Sequence, residues 1–173
     1  MATVHLVFGA QGAGKTTYAR ALAERAEATR FSIDDWMAGL YGPDLTRPLN
    51  PHWIMERVQR CERRIWATAA EVVRRGGNVV LDLGFMKRAD RSRYIALCDE
   101  AQLPFQLHYL TAPHAQRRER VLTRNTAQGE TYAFEVTAGM FDYMEREFEA
   151  VSDSELALAS VTSTETRPPL GAA

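Results

Sequence analysis

Residues 9–16, Gly-Ala-Gln-Gly-Ala-Gly-Lys-Thr, fit the spacing G-x-x-x-x-G-K-[ST] at every position. Glycines so spaced let a loop turn its backbone amides inward around a phosphate. A helix opening directly after the loop adds its N-terminal dipole to the same anion. In such a loop Lys15 reaches the β- and γ-phosphates of a nucleoside triphosphate, and the Thr16 hydroxyl ligates Mg²⁺. The cradle comprises Gly9, Gln11, Gly12, Ala13, Gly14, Lys15, Thr16 and Thr17. The motif does not choose a reaction, because hydrolysis, phosphoryl transfer and a conformational switch all begin from it.

Acidic residues narrow the choice. Asp34 and Asp35 come directly after a strand-like run at 29–33. A carboxylate there can take a proton from an acceptor hydroxyl or hold magnesium waters; the other role is to cap the next helix. Which of the two is the base is left open. Asp82 closes the run Val79-Val80-Leu81, as does an acidic motif that holds Mg²⁺ through water. A plain strand-end turn is its alternative.

Basic residues cluster further along the chain. Arg117, Arg118, Arg120 and Arg124 crowd one predicted helix, and Arg120 and Arg124 share a face. Like charges so placed suit a triphosphate or a stacked base, with a solvated face partnered by Glu119 as the alternative. Arg57, Arg60 and Arg64 alternate with Glu56 and Glu62 and read as solvated charge. Candidates for the acceptor are Asp35, Trp36, Phe85, Arg88 and Arg91, with Tyr41 and Trp53 either lining the same pocket or closing the core.

The elements that must position these residues alternate. Strands are expected at 3–8, 29–33, 78–83, 105–110 and 156–161. Helices are expected after Gly14, over 51–75, 88–101, from Pro113 to about 124, and over 133–150. Asn50 before Pro51 is a helix start, and Gly76-Gly77 a stop. The segment 36–51, with Gly39, Gly42, Pro43, Pro48 and Pro51, reads as a loop or broken helix. Strands alternating with helices imply a parallel sheet covered on both faces, with ligands at the C-terminal strand edge.

At 173 residues the chain reads as one α/β domain spanning 1–173, with a lid near 113–132 and a tail from 165. The net charge of −1 gives no global pull toward nucleic acid or membrane. Cys61 and Cys98 fall in apolar helical patterns and read as buried thiols; the four histidines lack ligand spacing. With no leader before Val4 and no membrane-length apolar run, a cytoplasmic protein is expected.

"GAQGAGKTT", "SIDDW", "VVLDLGFMKRADR" and "LTAPHAQRRERVLTRN" together resemble a family of small P-loop kinases over roughly residues 3–150. That group includes bacteriophage polynucleotide 5′-kinase, chloramphenicol phosphotransferase, zeta toxins and AAA-type predicted kinases. The resemblance implies a three-layer P-loop NTPase fold with a five-stranded parallel sheet of nucleoside-monophosphate-kinase type. It implies ATP as the nucleotide, Asp34 as general base, Arg120 and Arg124 as lid arginines over ATP, and Asp82 as the acid ending strand three. Met37 stands where the polynucleotide kinases carry an arginine, which disfavours a nucleic-acid acceptor, as does the near-neutral charge. The expected activity is ATP-dependent transfer to a hydroxyl of a small molecule, a metabolite or an antibiotic. The alternatives are a polynucleotide 5′-hydroxyl kinase and a nucleotide-dependent binding switch.

Overall fold

Five short strands and the helices between them decide the architecture of the computed structural model, which describes residues 1–45, 48–127 and 136–165, without the side chains of 124–127. In chain order the elements are β1 (Val4–Gly9), α1 (Lys15–Arg25), β2 (Ala28–Ser32), α2 (Ile33–Tyr41), a 3₁₀ turn (Gly42–Asp44) and α3 (Pro51–Arg74). Then come β3 (Asn78–Asp82), α4 (Arg88–Glu100), β4 (Phe105–Thr111), α5 (His114–Ala127), α6 (Ala138–Glu147), α7 (Asp153–Leu158) and β5 (Ala159–Ser163). One sheet of order β2-β3-β1-β4-β5 results, with every pair parallel. The expected five-stranded parallel sheet is therefore present.

Alternation of side chains along each strand builds two cores. Val4, Leu6, Phe8, Val79, Leu81 and Leu107 pack toward Cys61, Ile65, Ala69 and Val73 of α3 and Tyr94 and Cys98 of α4. On the other face Val7, Val80 and Leu110 pack against Ala19 and Leu22 of α1. Both cysteines are buried free thiols, and burial pushes Cys98 up to about 12.

Helix ends explain where the elements differ from expectation. The segment from residue 36, read as a loop or broken helix, is helical to Tyr41, because α2 starts directly on β2, and then breaks into the 3₁₀ turn Gly42–Asp44. Ser32 caps it by accepting from the Asp35 amide, and Asp34 and Asp35 occupy the first turn, where the dipole favours them. Downstream the expected α3 start holds, with Asn50 accepting from the Trp53 amide. Residues 156–158, expected in the fifth strand, belong to α7. A reciprocal capping box of Ser152 and Glu155 starts that helix and delays β5 to Ala159. The last long helix runs from Ala138 to Glu147; residues 133–135 of its expected span, and the tail from 166, lie outside the described residues.

Two buried polar clusters tie the layers. On the α1 face, His5 Nδ1 lies 3.0 Å from His108 Nε2, and His108 Nδ1 lies 2.9 Å from the Tyr18 hydroxyl. Burial, with smaller contributions from His5 and Arg25, pulls His108 down to about 4. On the other face Arg91 is enclosed, pairing with Glu155 and donating to the carbonyls of Phe85, Met86, Glu149 and Ala150. Burial alone would raise the Glu155 carboxyl, but hydrogen bonds from Arg91 and Ser152 outweigh it and hold it at about 2.

These groups set an acid profile. His108 stays neutral in the fold where the unfolded chain is already protonated, so stability falls as pH drops from 6.5 toward about 4. Glu155 adds stability that is present above 4.5 and lost as pH falls toward about 2. In urea unfolding measured against pH, His108→Gln is expected to flatten the upper window and Glu155→Gln the lower. At neutral pH Glu155→Gln is expected to cost about 3–5 kcal/mol, because Arg91 is left buried without its counter-ion.

Candidate active site

Between β1 and α1 the chain makes a loop in which three successive carbonyls are held from outside. Arg117 Nη1 donates to the Gln11 carbonyl at 3.2 Å, Arg120 Nη1 to Gly12 at 3.5 Å, and Thr164 Oγ1 to Ala13 at 3.0 Å. Peptide N–H groups point opposite to their carbonyls, so this arrangement turns donors toward the concave side. Gly14, in the left-handed region, precedes α1 with no capping side chain, leaving the helix's first amides for an anion. Gly12 has φ +79°, and a Cβ there would lie 2.5 Å from the Arg117 carbonyl oxygen. Glycine is thus required both by conformation and by the close approach of α5. Lys15 Nζ donates to the carbonyls of Gly9 and Ala10 at 2.9 and 3.2 Å, arching over the loop.

Asp82 ends β3 beside β1 and is buried. Its parity with Val80 puts it on the α1 face, where α1 opens with Lys15 and Thr16. A hydroxyl and a carboxylate are hard oxygen donors suited to Mg²⁺, which takes one or two protein ligands and completes its shell with phosphate and water. Among the described residues no cluster of three or more His, Cys, Asp or Glu could hold a metal by itself. The residues therefore fit a cation brought with a nucleotide: Thr16 and Asp82 would hold it.

Asp34 and Asp35 lie exposed in the first turn of α2. Arg30 of β2 joins Asp35 to Asp82, with Nη1 2.9 Å from Asp35 and Nη2 3.0 Å from Asp82. No sequence motif marks Arg30; the available signal is a lone arginine in a strand that leads into one acidic motif and pairs with the strand carrying another.

Of the two expected lid residues, Arg120 sits close to the loop. Arg120 holds the Thr164 carbonyl and hydroxyl at 2.5 and 3.1 Å as well as Gly12. Arg117, of the same arginine cluster, is its companion, paired through both terminal nitrogens with Glu145 of α6. Its hydrogen bonds hold the Glu145 carboxyl below the usual range. The Arg124 side chain lies outside the described residues.

Four further acceptor candidates find other partners. Arg91 is 3% exposed and spends its donors on Glu155 and four carbonyls, so it is a structural tie. Phe85, 4% exposed, turns inward to pack 5.0 Å from Tyr94 and belongs to the core. Trp36 is half-buried against Phe31. Arg88 is exposed, with its amide held by Glu149. Tyr41 and Trp53 meet edge to face, and Arg57 stacks 3.7 Å over the Trp53 ring, so Arg57 is not simply solvated. A cavity of about 410 Å³ opens elsewhere, beside Ala10 at the C-terminal ends of β1 and β4. Tyr109, Glu145, Phe148, Val151 and Leu156 wall it, and no motif marks them.

The sheet order, the loop between β1 and α1, and the acid ending β3 define a P-loop NTPase fold of the small-kinase type. Residues 4–151 match the family described as AAA domain, and the chain belongs to that family. No curated protein matches it. A provisionally assigned kinase from Chloroflexus aurantiacus superposes with a TM-score of 0.69 at 17% identity, covering 95% of this chain and 85% of that one. A sugar kinase from Janibacter sp. HTCC2649 superposes at 0.62 and 18% identity, covering 98% and 88%. A chain of the Pnkp1/Rnl/Hen1 RNA repair complex superposes at 0.63 and 17% identity, covering 85% of this chain but 44% of its own. Likeness at these identities is likeness of fold.

Gly12→Ala tests the packing of the loop. The added methyl must move either the loop or α5, so affinity for a fluorescent ATP analogue is expected to fall at least about tenfold, roughly 1.4 kcal/mol. The far-ultraviolet circular dichroism should remain that of the wild type.

Proposed function

We propose that the protein is an ATP-dependent kinase that moves the γ-phosphoryl group to a hydroxyl of a small molecule. The observation that carries this reading is the phosphate loop, with its carbonyls held outward and Lys15 Nζ on the Gly9 and Ala10 carbonyls; an acidic residue that pure nucleotide binding does not need follows β2 on the same strand edge. Asp34 is the proposed general base: it accepts the acceptor's proton as the acceptor oxygen bonds to the γ-phosphorus and the bond to the β–γ bridging oxygen breaks. Lys15 and Arg120 stabilise the negative charge spread over the transferring group, with Arg124 as a further proposed contributor. Mg²⁺, when bound, neutralises phosphate charge. Thr16 and Asp82 would hold it.

A cavity of small-molecule size opens on the same strand edge as Asp34, at the ends of β1 and β4, whereas Asp34 follows β2. About 410 Å³ suits a ligand of metabolite size, and the two charged residues in its wall, Arg117 and Glu145, neutralise each other. An uncharged hydroxyl compound fits that balance better than a phosphate-rich polymer. Superposition on a sugar kinase agrees with this. A nucleic-acid end is the second reading, favoured by the likeness to a chain of an RNA repair complex. Radiolabelled ATP offered with 5′-hydroxyl oligonucleotides and, separately, with neutral sugars and alcohols separates the two.

Asp34→Asn is expected to bind ATP as the wild type does while losing about 10²–10⁴-fold in transfer to the acceptor identified in that screen. Undiminished transfer would remove Asp34 from the base position.

A further inference from the structure

We infer that Arg30 is a positioning residue that locks Asp35 and Asp82 in one arrangement for a nucleotide-borne cation, an inference resting on the nucleotide-binding half of the proposed function. Its place in the sheet makes this possible. In the β2–β3 register Arg30 lies opposite Val80 and Ser32 opposite Asp82, so Arg30 and Asp82 emerge on the same face, one step apart. The guanidinium reaches along that face to Asp82, and with its other terminal nitrogen to Asp35 in the first turn of α2.

The fork geometry is what matters. A guanidinium presents planar, fixed donors, so holding two carboxylates on two elements sets their separation and orientation; a lysine ammonium supplies charge without that template. The Arg30 side chain is 14% exposed and that of Asp82 is 7% exposed, so the pair between them is shielded from solvent and salt. Arg30 Nε is buried without a hydrogen-bond partner. Such an orphan donor is destabilising, a cost that a merely stabilising surface charge would not incur. By engaging Oδ2 of Asp82, Arg30 hands an arriving cation a carboxylate whose rotamer is already fixed. Through Asp35 the same fork ties the start of α2, and with it Asp34, to the cation side of the site.

Removing a group that orients a metal ligand from behind typically weakens the metal about 10–100-fold. The test titrates Mg²⁺ into protein with a fluorescent ATP analogue at fixed concentration, and repeats the nucleotide titration in EDTA. Arg30→Gln is expected to raise the Mg²⁺ half-saturation about tenfold and to leave metal-free nucleotide affinity unchanged. Arg30→Lys should recover only part of this. Asp35→Asn, at an exposed carboxylate that tolerates change, should raise it severalfold although Asp35 is on the acceptor side; this variant decides the matter if Arg30→Gln fails to fold. Unchanged Mg²⁺ dependence in these variants, or equal weakening with and without Mg²⁺, overturns the inference alone. A wild type that binds no nucleotide overturns it together with the proposed function.

Discussion

The outward tethering of the phosphate loop is the constraint on which the remaining structure depends. A loop rich in glycine has many conformations in the unfolded chain and is costly to order. Here three carbonyls in succession are captured by groups from distant parts of the chain: Arg117 and Arg120 on α5, and Thr164 just after β5. The last of these spans 151 residues of sequence, so the nucleotide site is complete only when the sheet has closed at its far edge. Arg117 extends the chain of contacts to Glu145 on α6, which places a wall of the cavity and the nucleotide loop under one ion pair. Loop geometry, the arginines of α5 and the cavity are therefore one mechanical unit.

Charge is handled by pairing inside the fold. Arg91 with Glu155, Arg117 with Glu145, and Arg30 with Asp82 each place a cation of low exposure against a carboxylate. Such pairs add little net stability against apolar packing, yet breaking one is costly, so they specify arrangement. That specification falls around the C-terminal strand edge. Arg91 gathers the turn after β3 and the chain before α7, while Arg30 and Arg117 border the nucleotide site.

The features legible in the sequence are those that local chemistry dictates. The phosphate loop, the strands flanking it and the Asn50 cap are short-range signals, and the sheet comes from strand and helix alternation. The capping box Ser152–Glu155 is equally local and marks the true start of β5 once its helix is recognised. Gly39 and Gly42 mask α2, whose cap at Ser32 and acidic first turn suffice for a short helix. Phe85 and Arg91 come soon after Asp82 in sequence, which suggests a place at the ligand. Proximity along the chain does not fix direction: with φ +88° at Gly84 and +46° at Phe85, the backbone turns the ring into the core. Thr164 and Glu145 have no local signal, since their roles exist only through long-range closure.

The proposed reaction sends the γ-phosphate held at the loop to a small organic hydroxyl. Phosphorus-31 NMR of the wild-type protein with MgATP and a desalted extract of metabolites below about 1 kDa reads that fate directly. A new phosphomonoester resonance is expected to grow as the γ-phosphate signal declines and ADP appears. ATP consumed with inorganic phosphate as the sole product, or ATP left intact, would contradict it.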